Sequence, residues 1–180
     1  MRSHPAPILA ACVAAVTLSV PCAAQKAPRK QLEKSYSEMA QALKRRDMDA
    51  FMKWMTPDYQ VQGKGKAKDA KTFKAETTLQ LLMVKTITAA SMKMTALKDG
   101  KEGAKASVTM SVAGVLATDP KQPHTLKNVS KHTDTWVKSP EGWRIKKTEP
   151  AGSQLFVDGK PFDPSNPPKP AGATKPGAGK

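Results

Sequence analysis

Acid–base chemistry in this chain has one favourable address, the pair His132 and Asp134 in the run from Asn128 to Lys138. Their spacing of two puts both side chains on one face of a strand, with Ser130 and Trp136 beside them and Lys131, Thr133 and Thr135 opposite. An imidazole titrates near neutrality and suits proton abstraction. A carboxylic acid kept from water can act as a hydrogen-bond donor. The same residues fit a simpler role. The turn Ser139-Pro140-Glu141-Gly142 returns the chain into a second strand, where Lys147 falls opposite Asp134 in the plainest register. A bulge would instead bring Thr148 opposite and Lys146 diagonal. Either lysine makes Asp134 a structural ion-pair partner.

Other chemistries find less support. Between them, His124, His132 and scattered carboxylates offer no paired spacing for a metal, so neither a metal nor a cofactor is expected. Both cysteines, Cys12 and Cys22, lie in the N-terminal segment, and no Ser-His-Asp arrangement can be assigned. Gly63-Lys64-Gly65-Lys66 lacks the spacing of a phosphate-binding loop and reads as a solvated loop. Asn128-Val129-Ser130 matches a glycosylation acceptor but sits inside a strand pattern.

The elements that must position His132 and Asp134 follow from periodicity. From Gln31 to Arg46, Leu32, Tyr36, Met39, Ala40 and Leu43 form one helical stripe, closed by Lys44, Arg45 and Arg46. Asp47 caps a second short helix with Met48, Phe51, Met52 and Met55 inward, which Pro57 stops. A brief strand spans Tyr59 to Gln62, and Asp69 caps a third helix from Ala70 to about Met83 with Phe73 and Leu81 on its apolar face. Strands are expected at 85–98, 104–117, 125–138 and 143–149, with a loop from Asp119 to Pro123. This order predicts an α+β fold, three N-terminal helices packed on a curved, mostly antiparallel sheet. Residues 151–162 suggest a small docked hairpin, and the Pro, Gly, Ala and Lys composition of 163–180 suggests disorder.

The first 24 residues, with Arg2, an apolar run and Pro21-Cys22-Ala23-Ala24, are expected to be a signal peptide cleaved near Ala24. The protein is then periplasmic or secreted, and 25–30 is a mobile basic leader ahead of a domain over 31–150. Lipidation at Cys12 is the less favoured alternative. The segment holds no acid, so the remaining chain carries 29 basic and 15 acidic residues, an excess of 14. In an exported protein that excess points away from nucleic acid and toward an anionic envelope polymer, or simply a solubilising coat. Eight methionines remain after Met1, adaptable fillers for a core or for the wall of an apolar pocket.

In the order of these elements, in Pro57-Asp58-Tyr59 before a short strand, and in Thr133-Asp134-Thr135-Trp136-Val137-Lys138 with Gly142-Trp143-Arg144-Ile145, residues 31–149 resemble the nuclear transport factor 2-like superfamily. That group includes SnoaL-like cyclases and ketosteroid isomerases. The resemblance implies a cone with a pocket at its open end, and a sheet face that pairs two copies into a homodimer. Carried over by spacing, the isomerase's three site positions fall on Gly63, Met39 and Asp134, and only Asp134 keeps the chemistry. Isomerase chemistry in that form is not expected, though Tyr36, one turn before Met39, offers a hydroxyl from a shifted position. The leading expectation is a non-catalytic pocket for a small, partly apolar ligand, lined by Tyr36, Tyr59, His132, Asp134 and Trp136. The alternatives are a proton-transfer enzyme of isomerase, dehydratase or cyclase type using His132 and Asp134, and a basic envelope interaction module.

Overall fold

A computed structural model describes residues 27–101, 103–116 and 123–163. The expected signal peptide with Cys12, most of the 119–123 loop, and the tail beyond residue 163 lie outside the described residues. Helix α1 (Arg29–Arg45) turns Leu32, Tyr36, Met39 and Leu43 into the core, as its stripe requires. It ends where Arg46 adopts φ 59° and its N–H donates to the carbonyls of Ala42 and Leu43. The helix begins within the expected leader, and Ala27 before it is buried, so this part of the leader is anchored.

Helix α2 (Met48–Met52) is capped by Asp47, whose carboxylate accepts from the Ala50 N–H at 2.9 Å. It stops earlier than its apolar spacing suggested. Met55 and Pro57 belong to strand β1 (Met55–Val61), because β1 pairs regularly only at its ends and Pro57 occupies the irregular stretch between. After the two-residue β2 (Lys68–Asp69), Asp69 caps helix α3 (Ala70–Leu82) by accepting from the Thr72 N–H at 2.8 Å. Phe73 packs between Phe51 and Tyr59, yet no α3 residue is fully buried, and Leu79, Leu82 and the following Met83 stay about two-thirds exposed at 65%, 66% and 67%.

The long strands β3 (Val84–Gly100), β4 (Gly103–Leu116), β5 (Thr125–Ser139) and β6 (Gly142–Val157) form the sheet in the order β2-β1-β6-β5-β4-β3. A short β7 (Lys160–Pro161) adds to β6. Pairing is antiparallel throughout except between β1 and β6. Three register shifts in β3 bend the sheet, and α1 fills its concave side.

Strand β6 does not end at Glu149. It continues through Pro150 to Val157 along the first half of β5, and the sheet therefore extends past the expected domain end. Pro150 is tolerated because the register shifts there, leaving Ala151 as the extra residue before Gly152 at φ 144°. The expected hairpin at 151–162 takes shape as the far end of β6 turning into β7. Asp158 and Gly159 supply the two positive φ values, 49° and 76°, of a tight turn. The Asp158 carboxylate accepts from the Thr125 N–H at 2.8 Å and meets His124 Nδ1 at 2.7 Å, which fastens this end.

Where the start of β3 crosses β4, a Cβ on Gly114 would lie 2.4 Å from the Thr86 carbonyl oxygen and 2.5 Å from Val84 Cγ1. Backbone cannot yield as a flexible side chain does. Gly114→Ala is expected to cost about 1–3 kcal/mol, whereas Gly63→Ala, with nothing within 4 Å of its Cβ, stays within about 0.5 kcal/mol. Urea unfolding of the two variants checks the difference.

Candidate functional site

Alternation along β5 turns Asn128, Ser130, His132, Asp134 and Trp136 toward the concave side. At the closed end Asp134 is 1% exposed and accepts from two hydroxyls. Tyr36 of α1 donates to Oδ2 at 2.9 Å, and Thr148 of β6 donates to Oδ1 at 2.6 Å. Behind them Trp136 Nε1 donates to the Tyr36 oxygen at 2.7 Å, and Tyr59 of β1 donates to Thr148 Oγ1 at 3.0 Å. Every proton in this chain of bonds is directed toward the carboxylate. Tyr36 and Trp136 also meet edge to face, with centroids 5.4 Å apart and planes at 88°.

Neither lysine expected as a partner reaches Asp134. A shift between Thr135 and Trp136 leaves Lys146 as the extra residue and sets Thr148 opposite Asp134. Lys147 then pairs with Glu149 at 2.9 Å, and Lys146 lies 3.8 Å from Asp58. The bulge thus sets the hydroxyl of Thr148, rather than a lysine, against Asp134. His132 Nε2 stands 3.4 Å from Asp134 Oδ2, and its side chain is 11% exposed. If Nε2 donates toward that carboxylate, Nδ1 is the ring nitrogen left to face other partners.

Above this network lies a cavity of about 300 Å³. One wall is apolar, built from Met39, Phe51, Met55, Phe73, Met92 and Met110. The other is a polar rail along β5, Asn128, Ser130 and His132, facing Ser153 across the strand pair. Of the five residues expected to line a pocket, Tyr59, His132 and Asp134 do so, while Tyr36 and Trp136 lie behind the floor and support it. Met39 contributes only apolar surface, and Gly63 sits in an exposed loop away from the cavity.

The Ser130 hydroxyl is buried with no partner among the described residues. Sequence reasoning placed Ser130 on the right face but gave it no role, and found Thr148 only as an alternative neighbour of Asp134. A second cleft of about 490 Å³, outside between α1 and α2, is lined by charged residues such as Lys34, Arg45 and Lys53. Its walls are solvated, so it lacks the desolvated polar groups found along the inner cavity. Among the described residues, no three His, Cys, Asp or Glu side chains cluster as metal ligands.

Burial first, then the Asp134 charge, pushes the Tyr36 phenol far above its ordinary value of 10.0. Burial also raises Tyr59, despite the opposing bond to Thr148. The folded protein therefore keeps both phenolic protons where the unfolded chain releases them. Their stabilisation is complete below pH 10.0 and is lost as pH rises above it. The stability slope should approach about 1.4 kcal/mol per pH unit for each tyrosine. Because these are the chain's two tyrosines, phenolate absorbance on alkaline titration should appear only with unfolding. Tyr36→Phe should halve the slope.

No protein-family model and no curated protein matches the sequence. Solved structures do match by shape. A nuclear transport factor 2-like superfamily protein from Salmonella enterica aligns with TM-score 0.54 and 14% identity, over 69% of this chain and 89% of that one. A protein from Kribbella flavida aligns with TM-score 0.53 and 9% identity, over 69% and 91%. One from Planctomyces limnophilus aligns with TM-score 0.52 and 14% identity, over 67% and 94%. Identities this low speak to architecture alone. The helices packed on a curved, unclosed, mostly antiparallel sheet share that architecture, and the chain has the nuclear transport factor 2-like fold.

Proposed function

We propose that this domain, exported to the periplasm or beyond after cleavage near Ala24, binds a small, mostly apolar molecule carrying one hydrogen-bonding group, and does not transform it. The supporting observation is the buried, unpartnered Ser130 hydroxyl beside His132 on the polar wall of an otherwise apolar cavity. An orphaned hydroxyl is costly without a ligand and is relieved by one that accepts its proton. The cavity sits at the small end of ligand pockets, which run roughly 300–1,000 Å³. The Asp134 network argues against turnover because both carboxylate oxygens and the Tyr36 proton are already engaged within the protein.

Native mass spectrometry of the protein from its own source is expected to reveal a co-purifying small molecule. A neutral apolar dye, phenylnaphthylamine, should bind the emptied protein, and Met92→Trp, which fills the cavity, should abolish binding. Unchanged dye affinity in that variant would overturn the proposal. Ser130→Ala should weaken the co-purified molecule about tenfold, or about 1.4 kcal/mol.

One observation favours a second reading. The 3.4 Å approach of His132 Nε2 to Asp134 orients an imidazole at the cavity edge, as a general base for proton transfer would need. The two readings separate by substitution. Asp134→Asn places an amide N–H₂ where a hydroxyl now donates and should cost about 2–3 kcal/mol by thermal unfolding. His132→Gln should cost under about 1 kcal/mol. If the co-purified molecule is converted by the wild type and not by His132→Gln, with binding intact, the domain is an enzyme.

A further inference from the structure

The same alternation that turns His132 and Asp134 inward sends a second set of residues to the convex face. By cross-strand register, Lys93 and Lys98 of β3, Lys105 of β4, Lys127 and Lys131 of β5, and Lys147 of β6 share that face. All but Lys147 are exposed. Among the described residues on this face of the four strands, Glu149 is the one acid, and it is taken by Lys147 at 2.9 Å. The other five lysines make no ion pair among the described residues. Elsewhere the cations are interleaved with acids, as in Arg29–Glu33, Lys68–Glu76 and Lys74–Asp49. Arg144, which the register sets at the turn end of the convex face opposite Val137, pairs with Glu141 of the turn. A solubilising coat intersperses both signs, and this face does not.

We infer that the convex face of β3–β6 is a docking surface for an acidic polysaccharide, a linear chain whose carboxylates are spaced along hydroxyl-bearing sugars. Lys98 and Lys105 are direct cross-strand neighbours, whereas Lys93 and Lys131, or Lys105 and Lys147, stand two strands apart, about 10 Å. Lys127 and Lys131 stand four residues apart along β5, about 13 Å. Such spacing suits widely separated charges better than duplex DNA, with one charge per roughly 1.7 Å of axis. Between the lysines lie the partly exposed hydroxyls of Ser107, Thr109, Ser111 and Thr133. These groups can bond sugar hydroxyls.

Other occupants fit less well. Among the described residues, the face's one aromatic side chain is Phe156, half-buried at its edge, which makes a poor platform for stacking bases. The large exposed apolar residues Leu79, Leu82 and Met83 lie on and just after α3, away from this face, so it has nothing to insert into a bilayer. A second copy would set lysines against lysines.

The test uses the full exported chain, with alginate as the probe, neutral dextran as control, and single-stranded DNA and phosphatidylglycerol vesicles as competitors. Alginate should bind, dextran should not, and affinity should fall as salt rises. The triple variant Lys93→Gln, Lys105→Gln, Lys131→Gln should lose at least tenfold. Lys34→Gln, Arg45→Gln, Lys53→Gln removes equal charge from the α1 side and should lose less than twofold. Each single convex-face substitution should lose two- to threefold, which decides the matter if the triple variant folds poorly. Equal losses in the two triple variants, DNA or vesicles binding as tightly as alginate, or a dimer that the convex-face variant dissolves would each overturn the inference.

Discussion

A carboxylate in the core is the constraint on which the rest of this structure depends. Asp134, 1% exposed, would destabilise the fold severely if left without partners. Its solution recruits one side chain from each of four elements: Asp134 on β5, Tyr36 on α1, Thr148 on β6 and Tyr59 on β1. Trp136 completes the set by donating to Tyr36. Because every hydroxyl proton is committed toward the carboxylate, the network has one arrangement rather than several. It locks the helix to the sheet at the closed end of the cone. Partly satisfied, it would be worse than an apolar core, which ties the positions of all five residues to one another.

That arrangement also governs what chemistry is left. Asp134 takes part in the cavity floor as an acceptor already served, and Tyr36 faces it from behind. The groups with unspent capacity lie farther along β5, at Ser130 and at the Nδ1 of His132. Methionine and phenylalanine side chains oppose them across a small space. On the proposed reading, such a site would respond to shape and one polar group. Proton transfer would have to be carried by His132, with Asp134 orienting it rather than exchanging protons.

Much of the fold was visible in the sequence because period-two and period-3.6 patterns report burial directly. The α1 stripe, the Asp47 and Asp69 caps and the concave face of β5 all appear in the structure as the pattern implied. The failures have physical causes. A bulge at Lys146 leaves no mark in composition, yet it replaced a lysine by Thr148 as the partner of Asp134. Pro150 looked like a boundary because proline breaks regular pairing, but a register shift at that residue absorbed the missing N–H. The bond from Tyr36 to Asp134 spans 98 residues of sequence, and no local pattern reports it. Sequence spacing placed Tyr36 on the inner face of α1; only the packing of helix on sheet shows that it stands behind the cavity instead of lining it.

Adjacent residues on β5 carry opposite chemistry because a strand has two faces and no third option. By register Lys131 lies on the convex side and is exposed, although it also borders the cavity that His132 lines, and Thr135 divides Asp134 from Trp136. A register slip of one residue would expose the carboxylate and bury the lysines, exchanging both surfaces at once. Burying a lysine row is forbidden by desolvation as firmly as leaving Asp134 unpaired. The positive excess of the chain and the apolar cavity are therefore not independent features. The cations on the outside help fix which side chains point inward, and so help specify the cavity.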